Sequence, residues 1–458
     1  MNKKLLILLA LLMVVPLVLA ACAPAAPAEE PAAEEPAAEE PAAEEPAEEP
    51  AEEPTEEPAA EEPAAEPVVV KVGLITDLSG PLAIYGAMIQ RSFPLGMEYA
   101  TGSPVTEDMV FTMDNIEFQV IMRDDQSNPE ITSTVARELI EVEGVDILVG
   151  TVSSGATATL QGLAAENQIP LIVAPAASND ITGKDFNPYT FRVSRTNYHD
   201  AVNICQYMTT QYDTFVQIAP DYSFGYGGAQ AFRDACTYYG GEFVADDIFA
   251  PADTTDFTPY MEQILNSGAD AWLVTWAGAG FIAMMQAAND LGVTAEIPLA
   301  SAFIDNALMP VFFANNIGTT SGILYHYTLA DNEINDWLVE QTKARFGVPP
   351  DLFDADGMNA AIMLVEAVKA TGGDTSADAL IAAMEGMEFE GPKGTIYIRP
   401  EDHVAMQDMY IATLLNVTDP EFKFYEPVTT TRPEIPCLLE GDYVSRCGDL
   451  PVGSLSGE

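Results

Sequence analysis

Three short stretches of this 458-residue sequence gather small and hydroxyl-bearing residues in a way that suits holding a molecule rather than breaking one. The first reads Asp77-Leu78-Ser79-Gly80-Pro81-Leu82-Ala83-Ile84-Tyr85-Gly86. The second reads Gly150-Thr151-Val152-Ser153-Ser154-Gly155, and the third Pro175-Ala176-Ala177-Ser178-Asn179. Backbone N–H groups that open a helix, joined by Ser hydroxyls, suit a carboxylate or another small polar anion. Ser153 and Ser154 could also cap the following helix, and capping is compatible with ligand contact. Ser79 has the same choice, between a cap or turn and a ligand contact. Nothing positive supports catalysis. His199, His326 and His403 are too scattered for a local triad signature. Asp124-Asp125 has no third metal ligand in view and reads as a strand-end turn and cap. Gly225-Tyr226-Gly227-Gly228 fits neither a dinucleotide nor a Walker spacing. The expectation is a binding protein, not an enzyme, with no metal and no cofactor.

The elements that must position these loops follow from the apolar pattern. Strands are expected at 68–75, 116–122, 145–149 and 170–174, with helices at 84–99, 129–141 and 156–167 between them. The same rhythm restarts after Phe191. Helices are expected at 199–211, 225–239, 257–265 and 281–291, and strands at 215–218, 242–248, 271–275, 297–300 and 323–327. Short, continuously apolar strands separated by helices indicate parallel sheets covered on both faces. Two such runs give an α/β protein of two doubly wound parallel-sheet lobes. Later helices at 332–346, 358–370 and 377–384, and strands at 394–398 and 409–415, have no third core of obvious size. They are expected to complete the first two lobes, so the chain crosses between lobes more than once and a hinge results. In such sheets ligands bind beyond the carboxyl ends of the strands, where all three polar loops fall.

The N-terminus carries an address. Lys3 and Lys4 precede an apolar run over residues 5–19, then Leu19-Ala20-Ala21-Cys22, which is a secretory signal pattern. Residues 23–67 repeat Pro-Ala-Ala-Glu-Glu with 17 Glu and no Lys or Arg. Pro interrupts helices, like charges repel, and no large apolar side chain is present, so this stretch reads as an extended spacer. The whole chain has 71 Asp+Glu against 18 Lys+Arg, a formal −53. Removing the 17 spacer Glu and the two leader Lys leaves 54 acids and 16 bases, about −38, over residues 68–458. That balance argues against nucleic acid and against docking on an anionic membrane through protein charge. Of the five cysteines, Cys437 and Cys447 bracket a short loop and are expected to pair. Cys205 and Cys236 fall on successive predicted helices and would pair if those helices are neighbours.

The ordered set Val72-Gly-Leu-Ile-Thr-Asp-Leu-Ser-Gly-Pro81, Asp124-Asp125, Gly150-Thr-Val-Ser-Ser154, Pro175-Ala-Ala-Ser178, Phe224-Gly225 and Gly391-Pro-Lys-Gly394 resembles the extracellular solute-binding proteins of branched-chain amino-acid ABC importers, over roughly residues 68–415. The Cys after Leu-Ala-Ala likewise resembles a bacterial lipobox, which implies a lipid on Cys22. The resemblance implies the type I periplasmic-binding-protein fold, two lobes joined by three crossings and closing on a small solute. Lobe one would comprise 68–192 and 327–388, and lobe two 193–326 and 389–458, behind a signal peptide at 1–21 and a linker at 22–67. Carried over one at a time, Ser153 and Ser154 match the carboxylate-binding loop, Ala176 and Ser178 the second loop of lobe one, and Tyr85 an aromatic lining position. Phe224 matches an aromatic lid from lobe two, and Trp276 another aromatic pocket position. The main departure is Ser301-Ala302-Phe303-Ile304-Asp305, where amino-acid-binding members often present a Glu to the ligand's ammonium. Asp305 could take that role, or Asp354 or Asp356. The implied function is the monomeric receptor of an ABC importer, tethered to the outer face of the cell membrane only by its lipid. It would capture an amino acid or related amide and deliver it to permease subunits. A sensory module of the same fold and an exported two-domain enzyme are the competing readings.

Overall fold

The computed structural model describes residues 66–278 and 280–457; the expected signal peptide, lipidated Cys22 and nearly all of the linker lie outside the described residues. The first sheet is built from β1 (Val68–Thr76), β2 (Val110–Met113), β3 (Ile116–Asp124), β4 (Ile147–Val149), β5 (Leu171–Val173) and β6 (Thr190–Arg192), in the order β2-β3-β1-β4-β5-β6. All neighbours run parallel except the β2–β3 hairpin. In register, Val72 sits between Val120 and Ile147. Every residue of β4, β5 and β6 is buried, as is β1 from Val72 to Thr76. Both faces of this sheet are therefore covered, which is why these strands read as unbroken apolar runs rather than alternating ones.

One cover is the helix Ala83–Thr101, and against it lies the helix Asp354–Ala370. A Cβ on Gly96 would stand 2.7 Å from the Ala361 Cβ and 2.8 Å from the Met358 carbonyl oxygen, so glycine sets how closely these two helices approach. The late helices thus return to the first sheet instead of forming a core of their own.

The second sheet contains β7 (Thr214–Pro220), β8 (Glu242–Phe243), β9 (Ile248–Ala250) and β10 (Ala271–Val274), all parallel, with β7 central. The expected strand at 242–248 is two pieces. Between them the chain turns aside, and Asp247 takes hydrogen bonds from Gln217 Nε2 (2.6 Å) and from Arg233. The expected strand at 297–300 supplies only a bridge from Leu299 to Trp272. Pro298 has no N–H to extend the ladder, although its carbonyl accepts Trp272 N–H at 3.0 Å. Two antiparallel sheets complete the chain: β11 (Thr320–Ile323) with β15 (Met409–Leu414) and β16 (Tyr425–Thr431), and β12 (Glu388–Gly391) with β13 (Gly394–Ile398) and β14 (Ala405–Met406).

Cys205 and Cys236 are disulfide-bonded between the adjacent helices Asn197–Met208 and Ser223–Tyr238, and Cys437 is bonded to Cys447. No helix of the described residues is long and apolar enough to cross a membrane.

Candidate functional site

The carboxyl ends of β1, β4 and β5 and those of β7 and β10 face a common cavity of about 120 Å³. The loop after β1 is held rigid by Asp77. Its carboxylate accepts N–H groups from Gly80 (2.5 Å) and Leu82 (2.9 Å) and the Ser127 hydroxyl (2.7 Å). A Cβ on Gly86 would lie 1.6 Å from the Asp77 carbonyl oxygen, so only glycine lets the helix start this close to the loop. Tyr85 therefore projects into the cavity wall, edge-on to Phe353 with ring centroids 5.1 Å apart. Burial, and then the charge of Asp305, raise its phenol far above the ordinary value.

The two serines of the second loop have separate duties. Ser153 is the N-cap of the helix Ser154–Asn167, its Oγ 3.5 Å from Ala156 N. Ser154 faces the cavity, and its Oγ accepts Ser178 N–H at 3.1 Å, which leaves the hydroxyl proton for a ligand. Asp125 braces this loop from beneath by accepting the Thr151 hydroxyl at 2.7 Å. In the third loop Ala176 and Ala177 line the cavity, and their N–H groups have no acceptor among the described residues. Free N–H groups beside a free hydroxyl form a receptor for a carboxylate oxygen pair.

From the second sheet come Tyr222 and Phe224 after β7, Thr275 and Trp276 after β10, and Ser301 to Ile304 after the Leu299 bridge. Trp276 is edge-on to Phe257 at 5.0 Å. A larger outer cavity of about 490 Å³ adjoins the first through shared Leu82, Tyr222 and Ala277, and Ser153 lines it.

Of the residues singled out in the sequence, Tyr85, Ser154, Ala176, Phe224 and Trp276 meet in one wall. Ser178 lies behind it, accepting Asp180 N–H and donating to the Ser223 carbonyl, both at 3.4 Å. Ser79 is exposed and donates to Asp124 at 2.5 Å, so its hydroxyl is committed to the strand-end turn. Asp305 is buried outside the wall: one oxygen caps Leu308 N–H at 3.1 Å and the other has no partner. Asp354 is committed to Arg91, with Nε to Oδ1 at 2.7 Å. Asp356 is buried outside the wall as well, and burial raises its carboxyl to about 6.

Sequence reasoning missed Phe353, Arg195, Asn197 and Asp200, all of which line the cavity. The last three stand on the loop and first turn that follow β6, a strand end of the same kind as the three that were recognised. Arg195 donates to the Pro175 carbonyl at 2.8 Å, lies 5.2 Å over the Phe353 ring, and has its Nε 3.4 Å from Asp200. The cavity thus offers hydrogen-bond donors at one edge, an aromatic and aliphatic body, and one Arg–Asp pair.

The model of the family described as periplasmic binding protein matches residues 69–418. Leu/Ile/Val-binding protein homolog 6 of Brucella melitensis is 28% identical over 366 residues, covering 77% of this chain and 89% of that protein. Among solved structures, an ABC-type branched-chain amino acid transporter protein from Rhodopseudomonas palustris is 33% identical, with TM-score 0.70, covering 81% of this chain and 100% of the other. A solute-binding protein of an ABC transporter from the same species, solved with 3,4-dihydroxybenzoic acid, is 25% identical with TM-score 0.69, covering 80% and 98%.

Proposed function

The chain belongs to the periplasmic binding protein family of ABC-transporter solute-binding proteins, and from that premise we propose that it is the extracytoplasmic receptor of an importer, enclosing one small carboxylate-bearing solute with an apolar or aromatic body. The observation that carries this reading is the composition of one cavity lining. It sets the free hydroxyl of Ser154 and the free N–H groups of Ala176 and Ala177 opposite Tyr222, Phe224 and Trp276 from the second sheet. A solute touching both sets of loops binds the closed arrangement better than the open one, and that difference in affinity drives closure. In this reading residues 68–192 and 327–388 form one lobe, 193–326 and 389–458 the other, and the closed pair docks on a permease. The leader at 1–21, a lipid on Cys22 and the Glu-rich spacer would hold a monomeric receptor near the outer membrane face of the cell.

Thermal unfolding across a panel of aliphatic amino acids, amides, short peptides and aromatic acids tests the proposal. A true solute raises Tm in proportion to RT ln(1 + [L]/Kd), so the shift grows with concentration. A panel in which no carboxylate shifts Tm at any concentration removes the carboxylate assignment.

A further inference from the structure

We propose that the segment 435–455, closed by the Cys437–Cys447 disulfide, is a clasp that ties the loop presenting the carboxylate donors to the helices over the second sheet, holding the cavity in its binding shape. The family match ends at residue 418, so this segment lies wholly beyond it. The effect on solute affinity rests on the receptor reading above; the effect on the unliganded shape does not.

The loop after β5 begins with Ala176 and Ala177 in the cavity and runs on to Phe186. Along that run it is held from the second sheet's side at successive points. Asn197 N–H donates to the Ala177 carbonyl at 2.9 Å, and Asn179 Nδ2 donates to the Gly227 carbonyl at 2.9 Å. These partners stand on the helices Asn197–Met208 and Ser223–Tyr238, which share a buried core with Phe215, Ala271 and Leu273 of the second sheet. A Cβ on Gly227 would lie 2.9 Å from Asn197 Oδ1 and 3.4 Å from Asn179 N. The glycines at 225–228 thus bare a helix face for this loop instead of cradling a phosphate.

Past Asn179 the C-terminal segment takes over the same task. A Cβ on Gly183 would lie 3.0 Å from both the Cβ and the carbonyl oxygen of Leu438, so the segment lies flat on the loop. Phe186 is buried with Cys437, Leu439 and Cys447. Its ring is edge-on to Tyr443 with centroids 5.0 Å apart, and the Arg446 guanidinium carbon stands 5.3 Å from its centre. The other side of the segment belongs to the two helices. Ile435 is buried in one cluster with Tyr198, Phe232 and Ala235, and Leu455 N–H donates to Asp234 at 2.8 Å. Arg399 fixes the root by donating to the carbonyls of Ile435 (2.9 Å) and Pro436 (3.3 Å). The disulfide removes much of the freedom this short segment would have when unfolded, so it holds its shape with few core residues of its own. Separating the two proposed lobes must break or slide the contacts at Gly183 and Phe186. A clasp that favours the joined arrangement raises the fraction of chains competent to bind, and the apparent Kd falls accordingly.

The test compares wild type with Phe186→Ala, which empties the clasp, and Phe186→Leu, which still fills it. Small-angle scattering without solute should give Phe186→Ala a larger radius of gyration than wild type, with Phe186→Leu close to wild type. Calorimetry with the strongest compound of the thermal screen should show Phe186→Ala binding about tenfold more weakly, as when the competent fraction falls to about a tenth. Should Phe186→Ala fold poorly, Tyr443→Ala removes only the exposed edge-on ring and should weaken binding about threefold, again with an expanded unliganded chain. A lower Tm with unchanged Kd and unchanged unliganded scattering would make these contacts local packing and overturn the clasp. If wild type binds no compound of the panel, the receptor reading falls and scattering alone decides: expansion of the variant supports the clasp, and equal radii overturn it.

Discussion

Raising the pH from mildly acidic to mildly alkaline should weaken the fold through one buried carboxyl group. Asp351 accepts N–H bonds from Asn306, at 3.2 and 3.0 Å to its two oxygens, and from Leu352 at 2.9 Å. Burial, followed by the charge of Asp305, nevertheless pushes it up to about 7. Asp305 is itself raised by burial, Asp354 is paired with Arg91, and the Tyr85, Tyr325 and Tyr425 phenols also stand near. In the unfolded chain an Asp titrates near 3.9. Between those two values the native state holds a proton that the unfolded chain has released. The stabilisation is therefore complete below the unfolded pKa and is lost as pH rises through the folded one. Three units at 1.36 kcal/mol each set a ceiling of about 4 kcal/mol, and local relaxation brings the expected loss between pH 4.5 and 8 to about 2 kcal/mol. Asp351→Asn keeps an acceptor for one N–H and cannot ionise. Urea unfolding at both pH values should show wild type losing about 2 kcal/mol more than the variant on going to pH 8. Parallel losses would refute the assignment of this proton.

The two adjacent serines should separate cleanly. Ser154→Ala is expected to weaken solute binding by about 1.5–3 kcal/mol, read by calorimetry with a compound found in the thermal screen. Ser153→Ala should leave affinity nearly unchanged and cost about 1 kcal/mol of stability through the lost cap, at the low end because its contact is 3.5 Å long. Replacing Cys205 and Cys236 together by Ala should destabilise the chain by about 3–4 kcal/mol on the chain-entropy account, because the bond closes a loop of 31 residues. An unchanged denaturation midpoint would contradict it. Gly86→Ala places a methyl against the Asp77 carbonyl and should cost about 1–3 kcal/mol while displacing Tyr85, with solute affinity falling in step.

The β/α alternation was legible because both large sheets bury both faces, so their strands appear as apolar runs between helices. The hairpin β2–β3 was overlooked although its turn, Asp114-Asn115, is of the expected chemistry and Asp114 takes the required positive φ of 52°. β16 was overlooked for a different reason: five of its seven residues are exposed, so it carries no apolar signal. The loops after β1, β4 and β5 were found by their small hydroxyl-rich composition, and the structure brings Tyr85, Ser154 and Ala176 from them into the cavity. The segment after β6 reads Ser194-Arg195-Thr196-Asn197, charged and unlike the other three, and only its place at a strand end marks it. The acid beside the cavity was not legible, because chain position after the 297–300 segment points to Asp305. Burial sorts these carboxylates instead: Asp305 turns back onto its own backbone, while Asp200 lines the cavity paired with Arg195.

The proposed capture site is the cavity that joins the strand ends of the two sheets. Ala277 lines both the inner and the outer chamber, so Ala277→Trp adds an indole where the two meet. Calorimetric titration of wild type and Ala277→Trp with the strongest compound from the screen is the direct measurement. Saturable one-to-one binding by wild type and none by a variant whose circular dichroism is unchanged is the predicted result. Equal binding by the two chains would place the solute outside this cavity.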